Sequence, residues 1–136
     1  MKIEKQKILL IDDEEDFCFF VQKNLEATGE FEVITANRGE EGIDLAIGKK
    51  PDLILLDIFM PRLSGPDVAE ILKDDPKTKE IPLIFLTALV SPEEMGVESI
   101  KEIGARLFIA KPVDTERLIS VIKTTLKEKI NEAKIS

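Results

Sequence analysis

Short apolar runs alternate with amphipathic stretches along the whole chain. Each run has the length of a strand, and strands buried on both faces of a parallel sheet have this near-continuous apolar composition. The runs are KILLI (7–11), FEVITA (31–36), DLILLD (52–57), PLIFLT (82–87) and RLFIA (106–110). The pattern therefore predicts five strands.

The stretches that follow the strands have apolar residues at helical spacing. This spacing places the apolar side chains on one face of a helix, where they can pack against a sheet. The predicted buried positions are Phe17, Phe20, Val21 and Leu25 in the first helix, Ile43, Ala46 and Ile47 in the second, Val68, Ile71 and Leu72 in the third, and Leu118, Val121, Ile122 and Leu126 in the last.

Residues that favour helix ends mark the limits of these stretches. Gly29 and Gly48 are expected to close the first two helices, and SGPD (64–67) is expected to open the third. SPEE (91–94) is a capping box that predicts the start of a fourth helix. Asp114 is expected to cap the last helix.

Strands that alternate with helices predict an α/β fold: a doubly wound, flavodoxin-like (βα)5 arrangement around a five-stranded parallel sheet. We expect residues 1–136 to form a single domain with a core at about 7–128. In open sheets of this kind, ligands bind beyond the carboxyl ends of the strands. The residues that finish each strand are therefore the first candidates for a functional site.

The composition narrows the class of protein. Acidic residues outnumber basic ones by 27 to 19, and the resulting net charge of −8 argues against direct binding of nucleic acid. No apolar run has the length of a membrane span, so we expect no membrane contact. The single cysteine, Cys18, excludes an internal disulfide and favours a reducing, cytoplasmic location. The sequence has no histidine, which excludes phosphohistidine chemistry on its own side chains.

Charged and hydroxyl side chains stand at the ends of four predicted strands. Asp12 and Asp13 follow the first, Asp57 ends the third, Thr87 ends the fourth and Lys111 follows the fifth. Carboxylates at one edge repel each other unless a cation joins them, and hard oxygen ligands favour Mg²⁺. The lysine and the hydroxyl supply the point charge and the short donor that a phosphoryl group needs. Each residue alone is an ordinary cap, turn or surface residue, but together they indicate phosphoryl transfer.

The motifs at these strand ends resemble those of response-regulator receiver domains over about residues 7–128. The motifs are LIDDE (10–14), LLDIFMPRLSG (55–65), FLTA (85–88) and FIAKPV (108–113). In that family the aspartate of the third strand accepts a phosphoryl group from the phosphohistidine of a sensor kinase. The resemblance therefore implies that Asp57 is the phosphoacceptor.

The resemblance also implies a Mg²⁺ cofactor and roles for the neighbouring residues. Asp12, Asp13 and Asp57 would bind the ion together with the backbone carbonyl of Phe59. Thr87 and Lys111 would bind the phosphoryl oxygens.

Further roles implied by the resemblance concern the conformational switch and the backbone. Thr87 and Phe108 would form the switch pair. Gly65 matches the family's loop glycine, and Pro112 matches the proline that follows the lysine, often after a cis bond.

The same resemblance sets expectations for partners. The donor would be a sensor histidine kinase or a histidine phosphotransfer protein. Phosphorylation would change a binding face formed by the helix after Ser91, the strand of Phe108 and the last helix. An unknown output protein would bind this face. Phosphorylation could also drive dimerisation. We expect a phosphoacceptor that assists its own phosphorylation, not an enzyme. Its self-hydrolysis should be slow because Phe59 and Leu89, which flank the approach of water, are apolar.

Three alternatives are set against this interpretation. A phosphatase of the haloacid dehalogenase type needs a carboxylate two residues after its nucleophile, where this chain has Phe59. A flavodoxin-type module needs a hydroxyl- and glycine-rich loop after the first strand, where this chain has DDEED (12–16). A receiver-like interaction module that is never phosphorylated would not need the intact set of Asp57 and Lys111.

Overall fold

The computed structural model describes residues 4–88, 100–103 and 106–135. The strands in this part of the chain are β1 (Gln6–Ile11), β2 (Phe31–Ala36), β3 (Leu53–Asp57), β4 (Leu83–Thr87), β5 (Ile100–Ile103) and β6 (Arg106–Ala110). The helices are α1 (Glu15–Glu26), α2 (Gly39–Lys49), α3 (Gly65–Asp74) and α4 (Thr115–Ile135). None of these helices combines the length and the hydropathy that a membrane span requires.

All strands form one sheet in the order β2-β1-β3-β4-β6-β5. Five of them run parallel, as predicted, and their order reverses beside β1, as in doubly wound folds. The short strand β5 was not predicted, and it pairs antiparallel with β6 at the edge of the sheet. The sequence IKEI has little apolar alternation, so its pairing with β6 defines it as a strand.

The two faces of the sheet carry separate apolar cores, because successive side chains of a strand point to opposite faces. Strand residues such as Ile8 and Leu10 pack with α1 and α4, whereas Leu9 and Ile11 pack with α2 and α3. Fully buried leucine and isoleucine residues therefore hold the central strands between two helical layers.

The buried face of α1 differs from the predicted one. Cys18, Val21 and Leu25 are buried, but Phe20 is 48% exposed. At about 100° per residue, Phe20 lies about 130° from the centre of the face that the three buried residues define. The prediction for Phe20 was therefore wrong.

Two further sequence predictions need correction. Ile71 on α3 was expected in the core but is 43% exposed, while Val68 and Leu72 are buried. Gly48 does not end α2, which continues to Lys49 and closes with Lys50 in the left-handed conformation. The predicted start of a helix at SPEE (91–94) lies outside the described residues.

The other predicted helix ends are confirmed. Ser64 and Asp67 form a capping box at the start of α3, in which each side chain accepts a hydrogen bond from the other residue's backbone amide. At α4, the Asp114 carboxylate accepts a hydrogen bond from the amide of Glu116. Gly29, just after α1, has a φ of +78°, which glycine adopts without steric cost.

Candidate functional site

The predicted acidic residues meet at the carboxyl edge of the sheet. Strands β1 and β3 are neighbours in register, with Ile11 opposite Leu56, so Asp12 and Asp57 leave the sheet side by side. Carboxylate oxygens of Asp12, Asp13 and Asp57 lie within 4.8 Å of one another. Asp12 and Asp57 are buried, whereas Asp13 is exposed. The site therefore has a buried floor and one acid that solvent can reach.

Lys111 supplies the positive charge of this edge. Its ammonium nitrogen lies 2.7 Å from Asp12 Oδ2 and 3.8 Å from Asp57 Oδ1. Its backbone amide donates to the carbonyl of Thr87 at 2.9 Å, which fixes the chain after β6 against the end of β4. The Lys111–Pro112 peptide bond is cis, in agreement with the resemblance.

Burial and charge perturb the titration of these groups. Burial, followed by the charge of Asp12, raises the pKa of Asp57 to about 6, although Lys111 and the amide of Phe59 oppose the shift. Burial also raises the pKa of Asp12 despite its contact with Lys111. Burial disfavours the Lys111 ammonium, but its hydrogen bonds to two carboxylates outweigh that effect and raise its pKa. One lysine thus leaves the negative charge of the edge partly uncompensated.

These residues fit the divalent cation that the sequence predicts. The three acidic side chains offer hard oxygen ligands at close range. A cation would also offset the charge of Asp12, which after burial is the main cause of the raised pKa of Asp57. Mg²⁺ keeps several of its waters and needs only one or two carboxylates, so the exposed position of Asp13 does not conflict with a role as ligand.

Thr87 and Phe108 lie on adjacent strands beside the acids. Thr87 is buried at the end of β4, one residue beyond Leu86, which is in register with Asp57. Phe108 pairs across to Phe85, and the two rings stack with centroids 5.2 Å apart. The predicted switch residues are therefore held on two neighbouring strands that both end at the acidic edge.

Phe59 stands at the mouth of the site. Phe59 is 56% exposed, and its backbone amide is near enough to the Asp57 carboxylate to oppose the rise in the pKa of that group. The role of its carbonyl as a metal ligand stays a prediction. Leu89, the other predicted flanking residue, lies outside the described residues.

Sequence reasoning missed the contacts that Glu14, Phe17 and Asn37 make with this site. Glu14 Oε1 accepts a hydrogen bond from the Lys111 ammonium at 2.8 Å, and that ammonium lies 4.5 Å from the centre of the Phe17 ring. Asn37 donates to the backbone carbonyl of Asp12 at 3.0 Å. The third acid of the LIDDE motif was a signal for Glu14, but its pairing with a residue 97 positions away was not.

Comparison with known proteins decides the family. The sequence profile of the response regulator receiver domain matches residues 8–123. The chain belongs to the response regulator receiver domain family. As a receiver domain it is a phosphoacceptor regulator of a phosphorelay, and neither a phosphatase nor a flavin-binding module is supported.

Similar proteins agree with this assignment. The receiver domain is 36% identical over 121 residues to the polar-differentiation response regulator DivK of Brucella anthropi, an alignment that covers 89% of this chain and 96% of that protein. A CheY-like receiver domain protein from Methanospirillum hungatei superposes with a TM-score of 0.78 at 27% identity, covering 95% of this chain and 99% of the other. The chemotaxis protein CheY4 of Vibrio cholerae gives a TM-score of 0.75 at 27% identity, covering 90% and 99%.

Proposed function

We propose that Asp57 is the phosphoacceptor of this receiver domain. Receiver domains take phosphoryl groups from histidine kinases or histidine phosphotransfer proteins, and the absence of histidine in this chain is consistent with a donor supplied by a partner. The observation that carries the proposal is the position of Asp57: a buried carboxylate at the end of the central strand β3, with two acids and a lysine within reach.

The reaction would use the carboxylate of Asp57 as the nucleophile. An O–P bond forms at Asp57 while the P–N bond of the donor histidine breaks, and the imidazole leaves with the bonding electrons. Lys111 would pair with the phosphoryl oxygens, and the Thr87 hydroxyl would donate a hydrogen bond to them. These contacts hold the phosphoryl group in place and stabilise its charge. Positioning and charge stabilisation are the main contributions that a protein makes to phosphoryl transfer.

Receiver domains bind Mg²⁺ at an acidic pocket, and we propose Asp12, Asp13, Asp57 and the Phe59 carbonyl as its ligands here. When bound, the ion offsets the charge of the acids and of the incoming phosphoryl group. Asp12 lies on the buried side and contacts Lys111, so it would set the position of the ion relative to the lysine. The exposed Asp13 would be the first acid that an ion from solvent meets.

The signal would leave the site through Thr87 and Phe108. Movement of Thr87 toward the phosphoryl group would open space beside β4, and Phe108 on the next strand could repack into it from its stack on Phe85. The face of β6 and α4 would then present a different surface to an output protein or to a second copy. The predicted contribution of a helix after Ser91 to this face lies outside the described residues.

Three further expectations concern the domain bounds, the cellular location and the rate of self-hydrolysis. We expect one receiver domain over residues 1–136 with a core at about 7–128, which the profile match at 8–123 supports. The cytoplasmic location stays a prediction. Slow self-hydrolysis is proposed because the exposed ring of Phe59 cannot orient a water molecule at the mouth of the site.

The test is phosphorylation by a small donor. Acetyl phosphate with Mg²⁺ should add one phosphoryl group to the intact protein, as measured by mass spectrometry, and a chelator should prevent it. Asp57→Asn should abolish the addition. Asp52→Asn, in the residue just before β3 and far from its carboxyl end, is the matched control and should be phosphorylated like the wild type. A phosphorylated Asp57→Asn variant would refute the assignment.

A further inference from the structure

We propose that residues at and just before the start of α1 hold Lys111 out of hydrogen-bonding distance of the phosphoacceptor until a phosphoryl group arrives. The holding residues, called here the lysine clamp, are Asp12, Glu14 and Phe17. This inference rests on the proposed role of Asp57. It assigns Glu14 and Phe17 as positioning residues, which act through the lysine and touch neither the phosphoryl group nor the metal.

The distances from the Lys111 ammonium to the three nearby carboxylates show which of them it binds. Its ammonium lies 2.7 Å from Asp12 and 2.8 Å from Glu14, both within the range of charge-assisted hydrogen bonds. Asp57 is 3.8 Å away, beyond that range. Lys111 therefore donates its hydrogen bonds to Asp12 and Glu14 and not to Asp57, the proposed phosphoacceptor.

The ring of Phe17 completes the clamp. The ammonium lies 4.5 Å from the ring centroid, close enough for an attractive contact with the aromatic face. Glu14 is the N-cap residue of α1 and Phe17 lies in its first turn. The start of this helix thus offers the lysine both a carboxylate and a ring.

The members of the clamp differ in how easily they can release the lysine. Asp12 is fully buried and the Lys111 side chain is 9% exposed, whereas the Glu14 side chain is 62% exposed. A carboxylate at the surface can return to water at small cost, but a buried one cannot. Glu14 is therefore the contact that an incoming phosphoryl group displaces, and its strength sets part of the cost of phosphorylation.

Removing the charge of Glu14 should make the lysine easier to recruit. Contacts with an exposed carboxylate contribute up to about fivefold to an equilibrium. Glu14→Gln should therefore tighten the binding of beryllofluoride, a phosphoryl mimic, by about two- to fivefold in the presence of Mg²⁺. The initial rate of phosphorylation by acetyl phosphate should rise by a similar factor. Calorimetry gives the affinity without any turnover.

Matched variants separate the clamp from the general loss of one negative charge. Glu15→Gln removes the same charge one residue later, and the Glu15 side chain has no hydrogen bond or ion pair among the described residues. It should change the affinity by less than half as much as Glu14→Gln. The Glu14→Gln effect should also survive about 0.5 M salt, because a contact pair is screened less than distant charges.

A second pair of variants tests the ring. Phe17→Leu should tighten beryllofluoride binding in the same direction, whereas Phe20→Leu, on the exposed side of the same helix, should not. Melting temperatures of the four variants identify any that are simply unfolded.

The outcomes distinguish this inference from the proposed function. If wild type binds beryllofluoride and is phosphorylated at Asp57 but Glu14→Gln behaves like wild type or Glu15→Gln, the clamp is wrong and the phosphoacceptor stands. Weaker binding by Glu14→Gln would also overturn it, because Glu14 would then assist the lysine. If wild type shows no response to either reagent, the proposed function itself fails.

Discussion

Gly65 lies directly against the backbone of Asp57. A Cβ atom added at residue 65 would overlap the carbonyl oxygen of Asp57 and the Cα atom of Ile58. The amide of Gly65 donates to the carbonyl of Ile58 at 2.9 Å, which joins the start of α3 to the end of β3. The loop that carries the proposed phosphoacceptor is thus held by a contact that only glycine allows.

Replacing this glycine should therefore damage both stability and phosphorylation. Gly65→Ala should lower the free energy of unfolding by about 1 to 3 kcal/mol, the usual cost of overpacking, and should slow phosphorylation by acetyl phosphate. Gly48→Ala is the control, since a Cβ there meets nothing within 4 Å and the residue lies in α2. It should raise stability by up to about 1 kcal/mol. Chemical denaturation measures both, and a Gly65→Ala variant as stable as wild type would contradict the packing argument.

The raised pKa of Asp57 predicts that the negative charge of this side chain destabilises the folded protein, and that this effect depends on pH. Its pKa rises from 3.8 unfolded to about 6 folded, so the folded state binds more protons between these values. Stability from this group is full below about pH 4 and is lost as the pH rises through about 6. In chelator at pH 8, Asp57→Asn should stabilise the protein by about 1 to 3 kcal/mol, and the gain should shrink toward pH 4.

Denaturation across this pH range measures that gain. Asp44→Asn, which removes an exposed carboxylate of α2, controls for the loss of one negative charge. A stabilisation by Asp57→Asn that does not vary with pH would mean that the charge of Asp57 is not its source.

The stacked pair of Phe85 and Phe108 predicts where the structure responds to phosphorylation. Beryllofluoride should shift backbone amide NMR signals more across residues 100–110 than across residues 18–26 of α1. Phe108→Leu should reduce the shifts in β6 because the ring that repacks is gone. Equal perturbation of the two regions would argue against a localised switch.

The exposed ring of Phe59 predicts a long-lived phosphorylated state. Phe59→Asn places a polar side chain where it can orient water toward the phosphoryl group, so phosphate release should become severalfold faster. Phe19→Asn makes the same change at another exposed ring, 65% accessible on α1, and should leave the rate unchanged. Release from the purified phosphoprotein gives the rates, and equal rates for Phe59→Asn and wild type would show that the lifetime is set elsewhere.

The five parallel strands and the residues at their ends could be predicted from the sequence because each strand is marked by its own short apolar run. The run LILL before Asp57 reads as a doubly buried strand from its composition alone, and parallel order brings its end to the same edge as Asp12 and Thr87. The exposure of Phe20 could not be predicted, since it depends on a rotation of α1 that the residues on the sheet determine. The contact of Glu14 with Lys111 joins residues 97 positions apart and follows only from the tertiary structure, which places the residue after β6 next to the start of α1.

The central claim is that the phosphoryl group resides on Asp57, and chemical mapping of the acyl phosphate tests it most directly. Borohydride reduces phosphorylated aspartate to homoserine, which peptide mass spectrometry can locate after treatment with acetyl phosphate and Mg²⁺. We predict homoserine at position 57 and unmodified aspartate at positions 12 and 13. Homoserine at either of those positions, or none anywhere in the chain, would contradict the account.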